Sequence, residues 1–479
     1  MKKYDVAVIG GGVTGTLTLR ELTAKGFKCV LFEAGSDLAS GATRANSAII
    51  HAGFDPKPGS LKGKMNVRGA ELYPELAKAL DFPFLPMPSL VTAFAPEEEA
   101  TVEELLNRGI GHGVKGLKTI TKAQLLDLEP NISDIARCAL FAPSAIVEPW
   151  SVAIAAAENA ADNGAEVLRS APVTAIEPTN DGYTVTAVRK GEKISVAANA
   201  VVNAAGIHAA DVHGLLTPPS YKMIPKRGQY FILDRGAKGL VNNVLFPCPS
   251  EKGKGMLIFP EIHGRIMIGP DSEPISDPDG IETEASSINA IRDAVKKYLR
   301  VPVPYGLTIR TFAGVRPAAD RGDFIIEEDE NFKGFFDAAG IESPGLASAP
   351  AVAKELCSLV CSRLGAGGAD LSFNPIRRPR LTTAIAAEKG VAGSSTIVCR
   401  CEKVSEAEIV DCIRRNCGAV TVKGVKMRTS SGAGGCQGGY CQPEIVKILS
   451  RELGIPPEEV LYDEEGSNIL IGKIRGTGK

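Results

Sequence analysis

The sequence predicts an α/β protein: a discontinuous, Rossmann-like nucleotide-binding domain with an inserted mixed-sheet domain, followed by a small helical C-terminal domain. Three observations predict it. A G-x-G-x-x-G turn follows an N-terminal apolar strand and opens a helix. Segments that read as buried strands, Ala198–Ala205 and Gly334–Ala339, recur far along the chain, each followed by glycine. Six of the 11 cysteines crowd between Cys399 and Cys441, a shift in composition that marks a separate unit.

The first element is an apolar strand, Tyr4–Ile9, followed by helical spacing over Val13–Lys25 and a second strand, Lys28–Phe32, ending at Glu33. In the intervening turn Gly10 permits the sharp reversal, Gly12 lets backbone approach a pyrophosphate, and Gly15 lets helix and strand pack closely. The helix start offers unpaired N–H groups and the positive end of its dipole to phosphates. Glu33 follows Gly15 by 18 residues, where a carboxylate accepts a ribose 2′-OH and repels a 2′-phosphate. The fingerprint alone leaves FAD and NAD open and disfavours NADP.

A chain of 479 residues exceeds one ordinary core, so two or three domains are expected. The later strands return to the first sheet, giving a nucleotide domain of residues 1–81, 146–213 and 323–365. Alternating stretches such as Gln229–Leu233 and Met256–Phe259, with a helix at Ser286–Leu299, predict a mixed or antiparallel second domain from 82–145 and 214–322. Glycine and proline at Gly365–Gly368 and Asn374–Pro379 predict a linker over 366–396. The cysteine domain then covers 397–453, and 454–479 reads as a tail.

With 44% hydrophobic residues, 23% charged and a net charge of −2, composition argues against long disorder and gives no sign of a general nucleic-acid binder, although a local basic pocket is invisible in the sum. The N-terminal apolar run is only about six residues, short of the roughly 7–15 of a signal-peptide core. No run approaches the roughly 18 apolar residues of a membrane span. A cytoplasmic protein is expected, membrane-associated only through a partner.

Four passages carry a family resemblance: Ser40–Gly53, Val202-Asn203-Ala204-Ala205-Gly206, Ala313-Gly314-Val315-Arg316-Pro317, and Gly340–Leu346. With the fingerprint they span about residues 1–365. They resemble the family of D-amino-acid oxidases, glycine oxidase, glycerol-3-phosphate dehydrogenases and L-2-hydroxyglutarate dehydrogenases. The resemblance implies tightly bound FAD, held by Gly10, Gly12, Gly15 and Glu33 together with Thr43, Asn46, Ser47, Gly206, Gly345 and Leu346. Gly345 and Leu346 open a helix expected over Ala347–Cys361, whose N-terminus suits the negative charge a flavin gains on reduction.

His51 is one of five histidines and lies just past the nucleotide unit. Imidazole suits removal of a hydroxyl proton near neutral pH, and the resemblance to the glycerophosphate branch implies that role. The alternative is a histidine packed on the flavin without proton transfer. Arg316 lies where the family often places a cation for an anionic substrate, and its fork fits carboxylate or phosphate equally. Lys254 and Ser343 are weaker candidates for the same pocket, against a solvated loop and a turn or cap. Arg44 is a weaker phosphate ligand still. His112, His208, His213 and His263 read as structural or surface residues.

Cys399-Arg400-Cys401 is followed after 34 residues by Cys436-Gln437-Gly438-Gly439-Tyr440-Cys441. Ser405-Glu406-Ala407-Glu408 reads as a capping box for a helix through Arg415, and Pro443 stands near the start of another helix to about Leu453. The arrangement resembles the bacterioferritin-associated-ferredoxin-like domain over about 397–453, which implies a [2Fe–2S] cluster on Cys399, Cys401, Cys436 and Cys441. Tetrathiolate zinc is the rival, although zinc sites favour C-x₂-C pairs over these C-x-C and C-x₄-C spacings. Cys412 and Cys417 read as packing residues.

The pairing of the two domains looks like the large subunit of anaerobic glycerol-3-phosphate dehydrogenases. It implies oxidation of sn-glycerol 3-phosphate to dihydroxyacetone phosphate by hydride transfer to FAD. Electrons then leave through the cluster to a flavoprotein or iron–sulfur acceptor subunit. An L-2-hydroxyglutarate dehydrogenase is the alternative, since Asn46–Gly53 carries that branch's Asn-Ser-x-x-x-His-x-Gly pattern. An amino-acid or amine dehydrogenase comes third. A redox-sensing or scaffold subunit that binds flavin without turnover is the rival from another class.

Overall fold

The computed structural model describes residues 1–249, 255–365 and 372–472. Strand β1 (Lys2–Ile9) lies inside an eight-stranded sheet, with β2 (Cys29–Phe32) and Glu192–Asn203 parallel to it on either side. Glu166–Leu168 and Phe335–Ala339 extend the parallel set outward. A parallel sheet buries both faces, which is why these strands read as continuous apolar runs. Helix α1 (Val13–Thr23), Pro149–Asp162 and Gly345–Leu364 cover one face through Leu17, Val152 and Leu356. An antiparallel meander, Val173–Thr179 and Gly182–Arg189 running into Glu192–Asn203, folds over the other.

The second sheet has nine strands drawn from two stretches of chain. Ser89–Ala93, Lys118–Thr121 and Cys138–Ala142 come from the first, and Met223–Leu233 through Thr308–Ala319 from the second. Val244–Pro247 joins them by pairing in parallel with Ser89–Ala93, so the sheet is mixed, as expected. Met223–Leu233 and Thr308–Ala319 form its longest antiparallel pair, with Lys226 opposite Arg316. Ala285–Val295 covers the outer face, whereas the inner face packs Tyr230 and Phe246 towards Ala52 and Phe54. That helix stops short of the expected Leu299 because Tyr298 and Leu299 turn into the core, where Leu299 bridges Ile132.

The C-terminal module is a hairpin (Ile397–Cys399, Val404–Ser405) and three helices, Glu406–Arg414, Val422–Thr429 and Gln442–Leu453, around Ile409, Val425 and Leu449. Ser405 caps the first helix through the Glu408 N–H, but the expected capping box is only half formed. The Glu408 carboxylate is diverted to Thr383, accepting from its N–H and hydroxyl at 2.8 Å each.

One expectation about the C-terminal third needs correction. The stretch after Leu453 is no tail: Ile455, Val460, Tyr462 and Ile469 complete the module's core. The linker is docked along its described part, where Arg377 pairs with buried Glu158. Its residues 366–371, like residues 473–479, lie outside the described residues. Among the described residues no helix is long and apolar enough to cross a membrane.

Candidate active site

One cleft of about 1990 Å³ runs between the two sheets. Its floor is the β1–α1 turn. A Cβ on Gly10 would come within 2.4 Å of the Ala204 carbonyl oxygen, and one on Gly15 within 2.0 Å of the Gly10 oxygen. Both positions therefore require glycine. Gly12 differs: its Cβ would meet only Thr43 Oγ1, at 3.2 Å, and the space beyond belongs to the cleft. That cradle fits a pyrophosphate approaching the backbone. Gly15 packs behind the turn and does not line the cleft.

Glu33 stands at the end of β2, 7% exposed. Its carboxylate accepts from the Gly11 N–H at 2.6 Å and the Gly35 N–H at 2.7 Å. Burial pushes its pKa up, against the pull of those donors and of Ser40. Each oxygen accepts more than one hydrogen bond, so a ribose hydroxyl can still be accommodated. Thr43 accepts from the Val13 N–H at 3.0 Å and so ties the loop after β2 to α1. Asn46 spends its side chain on its own loop, donating to the Ala42 and Thr43 carbonyls and accepting from the Ala48 N–H at 2.7 Å. It shapes the wall, while Ser47, Gly206, Gly345 and Leu346 line the same cleft. The Gly345–Leu364 helix starts there with no side-chain cap on its first N–H groups.

On the opposite wall His51 packs its ring edge-on to Phe246, with centroids 5.9 Å apart. Its carbonyl is held by Asn66 Nδ2 at 2.6 Å. Arg316 donates to the Asp271 carbonyl at 2.9 Å and to Ser272 Oγ at 3.2 Å. Ser343 lies at the cleft rim beside a Lys62–Glu342 pair of 2.8 Å. The structure thus brings His51, Arg316 and Ser343 to one cavity with the nucleotide turn; Lys254 lies outside the described residues.

Tyr230 is a residue that sequence reasoning missed. Its buried hydroxyl is 3.1 Å from Ser47 Oγ and close to Arg316, and its ring stacks on Phe312 at 4.6 Å. Strand alternation alone marks it as inward-facing; nothing in the sequence pairs it with Ser47. The remaining histidines are tied into the frame. His213 bonds Asp337 at 2.7 Å, His263 bonds Glu148 at 2.9 Å, His112 bonds the Gly53 carbonyl and His208 bonds Asp211 and Asp279.

The C-terminal module brings its four candidate cysteines to one loop system. Cys399 and Cys441 are buried, and the interaction between their thiols lowers the pKa of Cys399 to about 6 and raises that of Cys441. Cys401 and Cys436 are exposed, with their sulfurs 3.7 Å apart. Backbone N–H groups aim at three of the sulfurs: Gly432 and Glu402 at Cys399, Cys436 at Cys401, and Tyr440 and Gly438 at Cys436. N–H donors at three of the four thiols suit a cluster that carries negative charge. Cys412 lies in the module's core, and Cys417 packs against the core of the nucleotide domain. Beside the cluster loop, Glu402 pairs with Arg235 at 2.7 Å and Arg265 at 2.6 Å, docking it on the second sheet.

Residues 5–359 match the family described as FAD dependent oxidoreductase, and residues 397–451 match the BFD-like [2Fe-2S] binding domain. The second match decides between the two metals read from the cysteines in favour of [2Fe–2S]. The glycerol 3-phosphate dehydrogenase of Caloramator mitchellensis is 41% identical over 480 residues, covering 98% of this chain and 99% of its own length. The mitochondrial L-2-hydroxyglutarate dehydrogenase of Caenorhabditis elegans is 28% identical over 57% of this chain and 64% of its own. Among solved structures, dithionite-reduced L-alpha-glycerophosphate oxidase from Mycoplasma pneumoniae with FAD bound is similar at a TM-score of 0.72. It is 27% identical over 78% of this chain and 98% of that one.

Proposed function

Since the chain belongs to the FAD dependent oxidoreductase family and carries a BFD-like [2Fe-2S] binding domain, we propose that it oxidises sn-glycerol 3-phosphate to dihydroxyacetone phosphate. One observation carries the reading: His51 and Arg316 line the same cleft as the Gly10–Gly15 turn and the N-terminus of helix Gly345–Leu364. The near full-length likeness to a glycerol 3-phosphate dehydrogenase supports the substrate.

The chemistry needs one group to accept a hydride and another to accept a proton. FAD, when bound, supplies the two-electron acceptor. His51 takes the hydroxyl proton as the C–H bond breaks, so the alcohol carbon becomes a carbonyl and atoms balance. Arg316, fixed by Asp271 and Ser272, holds the phosphate and so orients the reacting carbon. Tyr230 braces Arg316 and Ser47 from behind. Ser343 lines the same cleft and completes the anion pocket, and Lys254 is the further candidate that the sequence offers for it. The start of helix Gly345–Leu364, uncapped and lining the cleft, would favour negative charge on a flavin bound there.

The four cysteines would hold a centre that handles one electron at a time. Because Cys401 and Cys436 are the exposed pair, an acceptor subunit approaches on their side. We place this partner among flavoproteins or iron–sulfur proteins, reached from the solvent face of the module.

A second reading, L-2-hydroxyglutarate oxidation, has its own support in the likeness to those dehydrogenases and in an arginine fork that also fits a carboxylate. Anaerobic mixing of the purified protein with each compound separates the two. Rapid bleaching of the flavin band by sn-glycerol 3-phosphate, at concentrations where L-2-hydroxyglutarate is slow, is the expected result; the reverse preference overturns the substrate.

A further inference from the structure

Both family matches stop before the last stretch of chain, at residues 359 and 451. Past the second of them the chain closes a turn: Leu461 bridges Asn468, the Tyr462 N–H reaches the Ser467 carbonyl, and the Asp463 N–H reaches Ser467 Oγ at 2.9 Å. The turn is set down on the loop after β2. Glu464 Oε2 accepts from the Ser36 N–H at 2.9 Å. Asp463 is shared between Lys423 of its own module and Arg44 of the nucleotide side, the latter at 3.4 Å. Glu464 also lines the large cleft, on the side where Glu33 lies. The two carboxylates are near enough for Glu464 to help raise the pKa of Glu33.

The same loop is gripped again one residue on. Asp37 receives both prongs of Arg428 at 2.5 and 2.8 Å, and Arg169 at 3.1 Å. The helix Val422–Thr429 admits Asp37 only because residue 424 is glycine: a Cβ there would sit 2.8 Å from Asp37 Oδ2. Ser36, Asp37 and Arg44 are therefore all held by residues beyond 420. Between them lie Ser40, which donates to Glu33, and Thr43, which ties the loop to α1. By the position of Glu33 at the end of β2, this wall faces the ribose of the adenosine half.

We propose that the Leu461–Asn468 turn is a cofactor-binding element, with Glu464 accepting from the adenosine ribose of FAD and the module locking the 34–44 loop over it. A loop already fixed at three residues gives up little entropy when the cofactor binds. FAD then leaves only after the module lifts, so its loss is slow. Two carboxylates at this end accept from hydroxyl groups and repel a phosphorylated ribose. The iron–sulfur module is thus part of the FAD site, and damage to it releases flavin.

The test uses the full-length protein carrying both cofactors. FAD release by the wild type and by the double variant Asp463→Asn, Glu464→Gln is tracked by ultrafiltration and flavin absorbance, with iron content and circular dichroism of the same samples. Release about tenfold faster with iron retained is expected, the effect of losing one charge-assisted hydrogen bond. Unchanged release with iron retained overturns the proposal. Should the variant lose iron or helix signal, amide hydrogen exchange of the wild type decides. Slower exchange over both 34–44 and 461–468 in the FAD-loaded than in the FAD-stripped wild type supports the proposal, and slowing confined to 34–44 overturns it.

Discussion

Arg428 and Asp37, 391 residues apart in sequence, meet in a two-pronged ion pair with both side chains less than a tenth exposed. The contact fastens the iron–sulfur module to the nucleotide domain. Arg415 and Arg377 converge on Glu158 in the same interface, and Glu158 is 2% exposed.

Breaking this fastening leaves a buried charge without its partner, at a cost of about 3–5 kcal/mol. Asp37→Asn should lower the denaturation midpoint of the holoprotein accordingly. Burial alone would raise the Asp37 pKa, but Arg428 and Arg169 hold it below the ordinary value. A depressed carboxylate contributes stability above its unfolded pKa, about 3.9, and loses it as pH falls through the folded value. Acid unfolding of the wild type below about pH 4 should therefore be blunted in Asp37→Asn. Identical acid profiles would remove Asp37 from the account.

Gly12→Val should abolish FAD retention while leaving the fold, because its side chain would enter the cleft and not the core. Flavin absorbance and circular dichroism of the purified variant check both halves. A flavin-loaded Gly12→Val protein would contradict the cradle.

If His51 is the base, His51→Ala should lower turnover roughly 10²–10⁴-fold with little change in FAD content. Near-normal turnover removes it from the mechanism. Arg316→Ala should chiefly raise KM, and Arg316→Lys should rescue only part of that loss because the planar fork is gone.

Tyr230→Phe keeps the stack on Phe312 and deletes the hydroxyl bonded to Ser47. The loss of about one hydrogen bond, ~1 kcal/mol, predicts about a fivefold rise in KM with kcat nearly preserved. A fall in kcat alone would instead give the hydroxyl a part in the chemical step.

Cys436→Ser should remove the paramagnetic signal of the reduced cluster and collapse electron transfer to the acceptor, yet leave anaerobic flavin reduction by substrate almost intact. Iron analysis with low-temperature electron paramagnetic resonance is the direct check. Stoichiometric zinc without a signal would leave the module a structural or docking unit.

The nucleotide turn was legible because its chemistry is local: Gly10, Gly12, Gly15 and Glu33 act through a few consecutive bonds, so spacing alone reveals them. The cysteine pairs were legible likewise, since four thiols at short spacings have few other uses. His51 and Arg316 could be singled out by residue type and motif, but only the packing of the second sheet, with Phe246 against His51 and Thr308–Ala319 carrying Arg316, brings them to one cleft. Residue 408 shows the limit of a local rule: the capping-box pattern was present, yet Thr383 offered its carboxylate a competing pair of donors. Tyr230 beside Ser47, Asp37 beneath Arg428, and Glu464 on the Ser36 N–H carry no sequence signature at all. Each joins residues more than 180 positions apart, and only the packing of sheet on sheet and module on domain sets such pairs face to face.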